Sequence, residues 1–296
     1  MLGPRSLPRW STRPGHRADD DEVEIFPRPR RGGRTGADAG ADDSGDDVPH
    51  RRARRLSARR PKPAGEPDAL AAADAAPAGV LFDVDGTLVD TTYLHTVAWW
   101  EAMRQVDRSV PMARIHRAVG MGSDTILDHL LGADRDRSDD DTMVAAHGAL
   151  YATYWDRLSP LPGAVELLRA CAARGLRVAL ASSASGRELA ALRAALGADD
   201  VIAAATSADD ADRSKPAPDL IAAALRKTGL DATRAVYVGD SVWDVIAASQ
   251  LDLPCVALTS GGTSAAELTE AGAAAVYADP ADLLAALDRS PIGKLG

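Results

Sequence analysis

From about residue 76 onward, short apolar runs alternate with stretches whose apolar positions recur every three or four residues. This pattern predicts strands near 78–83, 176–182, 200–203, 235–239, 254–258 and 274–277, and helices near 162–174, 185–197, 216–229, 242–250, 264–271 and 280–288. Strands alternating with helices in this way predict an α/β fold with a doubly wound parallel sheet. Gly175, Gly197, Gly229 and Gly272 stand where four of the helices should end, as a left-handed C-terminal cap favours. Pro216 and Pro218 read as first-turn prolines of the helix after Lys215, which puts that lysine near a helix N-terminus. Between roughly 91 and 159 the periodicity is helical throughout and no strand run occurs. This insertion holds Trp99, Trp100 and Trp155, together with Tyr93, Tyr151 and Tyr154. Trp99 and Trp100 read first as packing between helices, since adjacent helical residues point in different directions. The Gly120-Met-Gly-Ser-Asp124 segment is a turn joining two helices.

Composition separates the first 75 residues from the rest. They carry 15 Lys+Arg against 13 Asp+Glu, many Pro and Gly, and no sustained apolar period. Such a segment buries too little apolar surface to offset its chain entropy, so 1–75 reads as a disordered, low-complexity extension. Its Arg51-Arg-Ala-Arg-Arg55 cluster is interleaved with Asp42-Asp43 and Asp46-Asp47, which argues against a dedicated nucleic-acid arm. The remainder has 19 basic and 30 acidic residues, a balance that disfavours nucleic-acid binding by the folded part. The predicted partner is instead a small molecule. Cys171 and Cys255 fall in apolar patterns and read as buried thiols in a reducing compartment. With no run suited to a signal peptide or a membrane span, the expected location is cytoplasmic. Oligomeric state has no signature here.

Candidate chemistry concentrates at Val80-Leu-Phe-Asp-Val-Asp-Gly-Thr-Leu-Val-Asp90, where an apolar run ends in two carboxylates and a Gly-Thr turn. Ligands of open α/β sheets sit beyond the carboxyl ends of such strands. Asp83 and Asp85 share a strand face, so their like charges call for a divalent cation or a shared proton. Mg²⁺, held by few carboxylates plus substrate phosphate, is the usual solution. Three further motifs follow in order: Leu176-Arg-Val-Ala-Leu-Ala-Ser-Ser183, Ser214-Lys-Pro-Ala-Pro-Asp219 and Val236-Tyr-Val-Gly-Asp-Ser-Val-Trp-Asp244.

These four motifs resemble those of the haloacid dehalogenase (HAD) superfamily, most of whose members are Mg²⁺-dependent phosphatases. Within it, the likeness is to the helical-capped phosphoglycolate phosphatase-like and β-phosphoglucomutase-like proteins, and it spans roughly residues 78 to 290. The resemblance implies a Rossmann-like core from 76–90 and 160–296, with a helical cap at 91–159. It also implies hydrolysis of a small phosphomonoester, in which Asp83 attacks phosphorus to form an aspartyl-phosphate. Asp85 would protonate the leaving oxygen and then activate water, two jobs done in turn. Ser182, Lys215 and backbone N–H groups at Gly86 and Thr87 would bind the phosphate, where charge develops. Mg²⁺ would be held by Asp83, the Asp85 main-chain carbonyl, Asp240 and Asp244. A plainer reading of Asp244 is a solvated first-turn acid favoured by the helix dipole.

Three cap positions are candidates for substrate contact. His95 stands twelve residues after Asp83, where some sugar-phosphate mutases of the superfamily carry a histidine that helps control proton transfer; its plain alternative is a packed or surface ring. Arg114 and Arg117, flanking His116 just before the Gly120 turn, would meet a second anionic group or else form a solvated helix face. No lysine occurs between Lys62 and Lys215. That removes the cap lysine which phosphonate hydrolysis needs for its Schiff base, and it disfavours the alternative function, a β-phosphoglucomutase-like sugar-phosphate mutase. Dehalogenation is disfavoured because Asp85 supplies an acid that a halide leaving group does not need. A catalytically idle binding module would lack one of the four motifs.

Overall fold

The computed structural model describes residues 77–295; the reading of 1–75 as disordered lies outside them. The described chain opens with β1 (Gly79–Phe82), whose four residues are all buried. Five helices separate it from the next strand, the first four being α1 (Thr92–Arg104), α2 (Met112–Ala118), α3 (Ser123–Leu131) and α4 (Asp140–Ala152). Thereafter helix and strand alternate as α5 (Ala164–Ala173), β2 (Arg177–Ala181), α6 (Gly186–Leu196), β3 (Ala204–Thr206), α7 (Asp219–Thr228) and β4 (Ala235–Gly239). The chain ends with α8 (Val242–Ser249), β5 (Cys255–Leu258), α9 (Ala265–Glu270), β6 (Ala275–Tyr277) and α10 (Pro280–Ala285).

All six strands are parallel and lie in the order β3-β2-β1-β4-β5-β6. β1 therefore lies inside the sheet, with Phe82 level with Leu180 of β2 and Val238 of β4. Side-chain alternation along β1 sends Val80 and Phe82 to one face and Leu81 to the other. The first face packs against Leu167 of α5, Leu192 of α6 and Leu283 of α10. The second packs against Ile221 of α7, Val245 of α8 and Leu268 of α9. Helices thus cover both faces, and each fully buried Leu or Phe contributes about 1.5–3 kcal/mol. A third apolar cluster, including Trp99, Met103, Ile115, Ile126 and Met143, lies wholly within α1 to α4.

Local chemistry accounts for several element ends. Ser185 with Glu188, Ser241 with Asp244 and Ser264 with Glu267 form capping boxes at the starts of α6, α8 and α9. Gly175, Gly197, Gly229 and Gly272 all adopt the positive φ expected of helix-ending glycines.

Two expected elements are displaced. The third strand lies at Ala204–Thr206 rather than 200–203; Val201 and Ile202 sit before it and pack, partly buried, on the first core cluster. α7 begins at Asp219 with Pro218 as its N-cap, so Pro216 lies outside the helix and Lys215 four residues ahead of it. Residues before a proline are pushed out of the helical region, and here both Lys215 and Ala217 precede one.

Candidate active site

The carboxyl edge of the sheet gathers the four motifs. Asp83 directly follows β1, and its backbone N–H donates to the Val238 carbonyl at 2.8 Å, tying the two central strand ends together. Asp240 follows β4, Asp244 stands in the first turn of α8, and Lys215 enters from the loop before α7. Lys215 Nζ lies 2.7 Å from Asp83 Oδ1 and 2.8 Å from Asp244 Oδ1. All three side chains are at most 3% exposed.

Asp244 is fully buried, so it is not the solvated first-turn acid that the helix dipole alone would favour. Its Oδ1 accepts from Lys215 and, at 3.1 Å, from the Tyr237 hydroxyl; its Oδ2 accepts from Ser241 Oγ at 2.6 Å and Ser241 N at 3.1 Å. Four donors on one carboxylate make Asp244 an anchor for the lysine. Asp240 accepts from Thr87 Oγ1 at 2.8 Å through Oδ1. Gly86, at φ 75°, brings the turn close on the other side: a Cβ there would lie 2.6 Å from Asp240 Oδ2.

Asp83, Asp240 and Asp244 each offer an oxygen, and these lie within 4.8 Å of one another. One ammonium among three buried carboxylates leaves an excess of negative charge. Burial, followed by the charges of Asp244 and Asp83, raises the Asp240 carboxyl well above its ordinary range, against the pull of Thr87 and Lys215. Asp83 is raised to about 7, by burial first and then by Asp244 and Asp85, against the lowering charge of Lys215. Lys215 moves the other way: burial disfavours its charge, but Asp244 and Asp83 hold its proton more firmly than usual. Thr92 Oγ1, buried without a hydrogen-bond partner, faces the same Gly86 turn as Asp240. Oxygen donors with surplus charge and an unpaired hydroxyl nearby fit a hard divalent cation.

Asp85 points away from this cluster. Its Oδ1 accepts from Thr91 Oγ1 at 2.7 Å and lies 3.1 Å from His95 Nε2, while Ser182 Oγ reaches Oδ2 at 3.4 Å. Burial alone would raise its carboxyl, but the hydrogen bond and charge of His95, then Thr91 and Lys215, outweigh that and lower it. His95 is raised in turn, because Asp85 overrides the burial that would strip its proton. These opposite shifts favour a charged pair, with the proton on His95 and directed at Asp85.

A cavity of about 310 Å³ opens over this edge. Asp83, Asp85, His95 and Lys215 line it, and so do Trp99 and His147 from the inserted helices. Other predicted residues are placed elsewhere. Arg114 reaches the Leu130 carbonyl, and Arg117 pairs with Glu267 on α9; neither lines the cavity. His116 donates to the Gly261 carbonyl at 2.9 Å. Ser182 and the Thr87 hydroxyl are buried and turned to Asp85 and Asp240 respectively. The Gly86 N–H is committed inside its own turn, to the Val89 carbonyl at 2.8 Å. Two groups were not foreseen: Tyr237, which braces Asp244, and His147, whose Nε2 lies 3.1 Å from His95 Nδ1. Tyr237 reads in sequence as one more apolar strand position, and His147 as one polar residue in a helix.

Residues 77–252 match the family model for haloacid dehalogenase-like hydrolases. A phosphoglycolate phosphatase from Rhodospirillum rubrum is 33% identical over 216 residues, covering 70% of this chain and 89% of that protein. A hydrolase from Pseudomonas syringae superposes with a TM-score of 0.69 at 35% identity, covering 72% of this chain and 98% of that one. A β-phosphoglucomutase from Clostridium difficile, 18% identical with a TM-score of 0.64 over 74% of this chain and 98% of that one, shares the fold. The matched model, the identity to curated relatives and the four motifs gathered at one sheet edge agree: this chain belongs to the haloacid dehalogenase-like hydrolase family.

Proposed function

We propose that the chain is a Mg²⁺-dependent phosphatase of small phosphomonoesters that works through an aspartyl-phosphate on Asp83. The observation that carries this reading is the Asp83–Lys215 pair, 2.7 Å apart on the floor of the cavity, with Asp85 two residues on and held at His95. The names of the phosphoglycolate phosphatase relatives support the reaction class and put phosphoglycolate among the esters to try.

In this reading Asp83 supplies the attacking oxygen, and Lys215 neutralises part of the charge on the incoming phosphoryl group while holding the Asp83 carboxylate still. Asp85 passes the proton it shares with His95 to the leaving oxygen, then takes one from the water that cleaves the aspartyl-phosphate. Asp83 and Asp240 would hold Mg²⁺, which when bound supplies positive charge against the phosphoryl oxygens. Asp244 is a ligand of second resort, since its oxygens already accept four hydrogen bonds. Helices α1 to α4 act as the cap, and its closure keeps bulk water from the site.

The test is inorganic phosphate release by the full chain across a panel of phosphomonoesters, with Mg²⁺ or EDTA, beside Asp83→Asn. Release that needs Mg²⁺ and vanishes in the variant is expected. Folded wild-type protein that releases nothing from any ester would overturn the reading.

A further inference from the structure

The mechanism leaves one buried ring unused. His147, on α4, is 8% exposed yet reaches the cavity wall. Its Nε2 lies 3.1 Å from His95 Nδ1, and the opposite nitrogen of His95 lies 3.1 Å from Asp85 Oδ1. Trp99 stacks on the His147 ring, centroids 4.1 Å apart and planes 12° apart. Tyr151 stacks on His95 at 3.9 Å. The spacing explains the array: His95 and Trp99 are four residues apart on α1, as are His147 and Tyr151 on α4, so each helix offers two rings from one face.

A histidine on a helix turns about χ1 and χ2, and a single hydrogen bond to a carboxylate leaves the tilt of the ring open. A second bond at the opposite nitrogen removes that freedom and also decides where protons sit. His147 is suited to be the acceptor of such a bond. Burial, then the neighbouring charge of His95, holds it well below its ordinary range and hence neutral. A neutral His147 with its proton on Nδ1 presents an Nε2 lone pair to the Nδ1–H of His95, and His95 then directs its own Nε2–H at Asp85.

We infer that His147 is a positioning residue: by accepting a hydrogen bond from His95 Nδ1, and being clamped by Trp99, it holds the His95 ring so that Nε2 stays on the acid–base carboxylate Asp85. The inference rests on the role proposed above for Asp85. Its chemical consequence is selective. An alkyl phosphate needs its leaving oxygen protonated as the P–O bond breaks, whereas p-nitrophenolate leaves without that help. Loss of positioning therefore separates the two esters in kcat/KM, which reports transfer to Asp83 and not the later hydrolysis.

Full-length wild type, His147→Phe and His147→Gln would be compared on p-nitrophenyl phosphate and an alkyl phosphate in Mg²⁺, with melting curves for each. Phe keeps the stack on Trp99 without a ring nitrogen; Gln offers an amide oxygen at similar reach. In His147→Phe, kcat/KM for the alkyl ester should fall on the order of tenfold or more while that for the aryl ester stays within about twofold, and Gln should recover most of the loss. An equal fall on both esters, or no fall on either, would show that His147 only packs. Should Phe fail to fold, ¹⁵N-histidine NMR of the wild type decides, through a coupling across the His95 Nδ1–H···Nε2 His147 bond; its absence overturns the inference. Wild type inactive on both esters is a separate result and counts against the phosphatase reading itself.

Discussion

Asp83 is drawn two ways, since burial favours its neutral form and Lys215 its charged one, and burial prevails. With its pKa raised to about 7, the folded state binds more protons than the unfolded state between the ordinary carboxylate range and neutrality. Stability then falls as pH rises through that window. Asp240, raised by burial and like charge, and His95, raised by Asp85, have the same sign. Asp85 and His147, both lowered, contribute stability that is lost only toward acid. The melting temperature in EDTA should therefore drop from pH 6.5 to pH 8, and Mg²⁺ at pH 8 should restore it by compensating the ionised carboxylates. A melting temperature that is flat or rises over this range would contradict the charge assignment. Lys215→Met probes the same cluster. Leaving three buried carboxylates without their ammonium should cost about 3–5 kcal/mol in urea unfolding at pH 8, and less at pH 6, where protons take its place.

At the level of elements, what was legible in sequence was whatever a local pattern encodes. β1, β4 and β5, and β2 beyond its exposed Arg177, are legible because both faces are buried and their residues are apolar, and the helix-ending glycines because few other residues accept positive φ. β3 was misplaced because a strand of three residues, Ala-Ala-Thr, carries less apolar signal than the Val201-Ile202 turn before it. Tyr237 and His147 acquire their partners only when β4 approaches α8 and α4 crosses α1, contacts that no local pattern contains. The short turn after β5 presses on the site as well. A Cβ at Gly261 would collide with the Asp240 carboxylate, whereas one at Gly272, at φ 105°, meets nothing within 4 Å. Gly261→Ala should displace Asp240 and lower phosphate release by about tenfold or more. Gly272→Ala should cost about 1 kcal/mol of backbone strain with kcat unchanged. Equal activity in the two variants would mean that the position of Asp240 is immaterial.

On the scale of the whole described molecule, the third apolar cluster is closed within α1 to α4 and joins neither cluster that flanks the sheet. The inserted helices meet the carboxyl edge of the sheet through polar contacts instead. Trp243 Nε1 donates to the Arg117 carbonyl at 2.9 Å, Ser214 N to Asp124 at 3.0 Å and Thr125 Oγ1 to the Lys215 carbonyl at 3.3 Å. His116 and Arg117 add the contacts to Gly261 and Glu267. Each such bond is worth about 1 kcal/mol net, the half-exposed Arg117 pair less and the buried His95–Asp85 pair more, so parting α2 and α3 from the edge while His95 stays in place costs little beside unfolding either core. The closure proposed for the reaction needs these surfaces to part and meet again, and the polar seam is where opening is cheapest. Native-state hydrogen exchange should show amides in α2 and α3 exchanging through an opening that leaves β1 and β4 protected. Trp243→Phe keeps an aromatic ring but drops the bond to Arg117, and should speed exchange in α2 about fivefold, the factor for about 1 kcal/mol, with the sheet unchanged. Exchange of helices and sheet as a single cooperative unit would refute a separable insertion, and the closure proposed for the reaction would then need a different moving part.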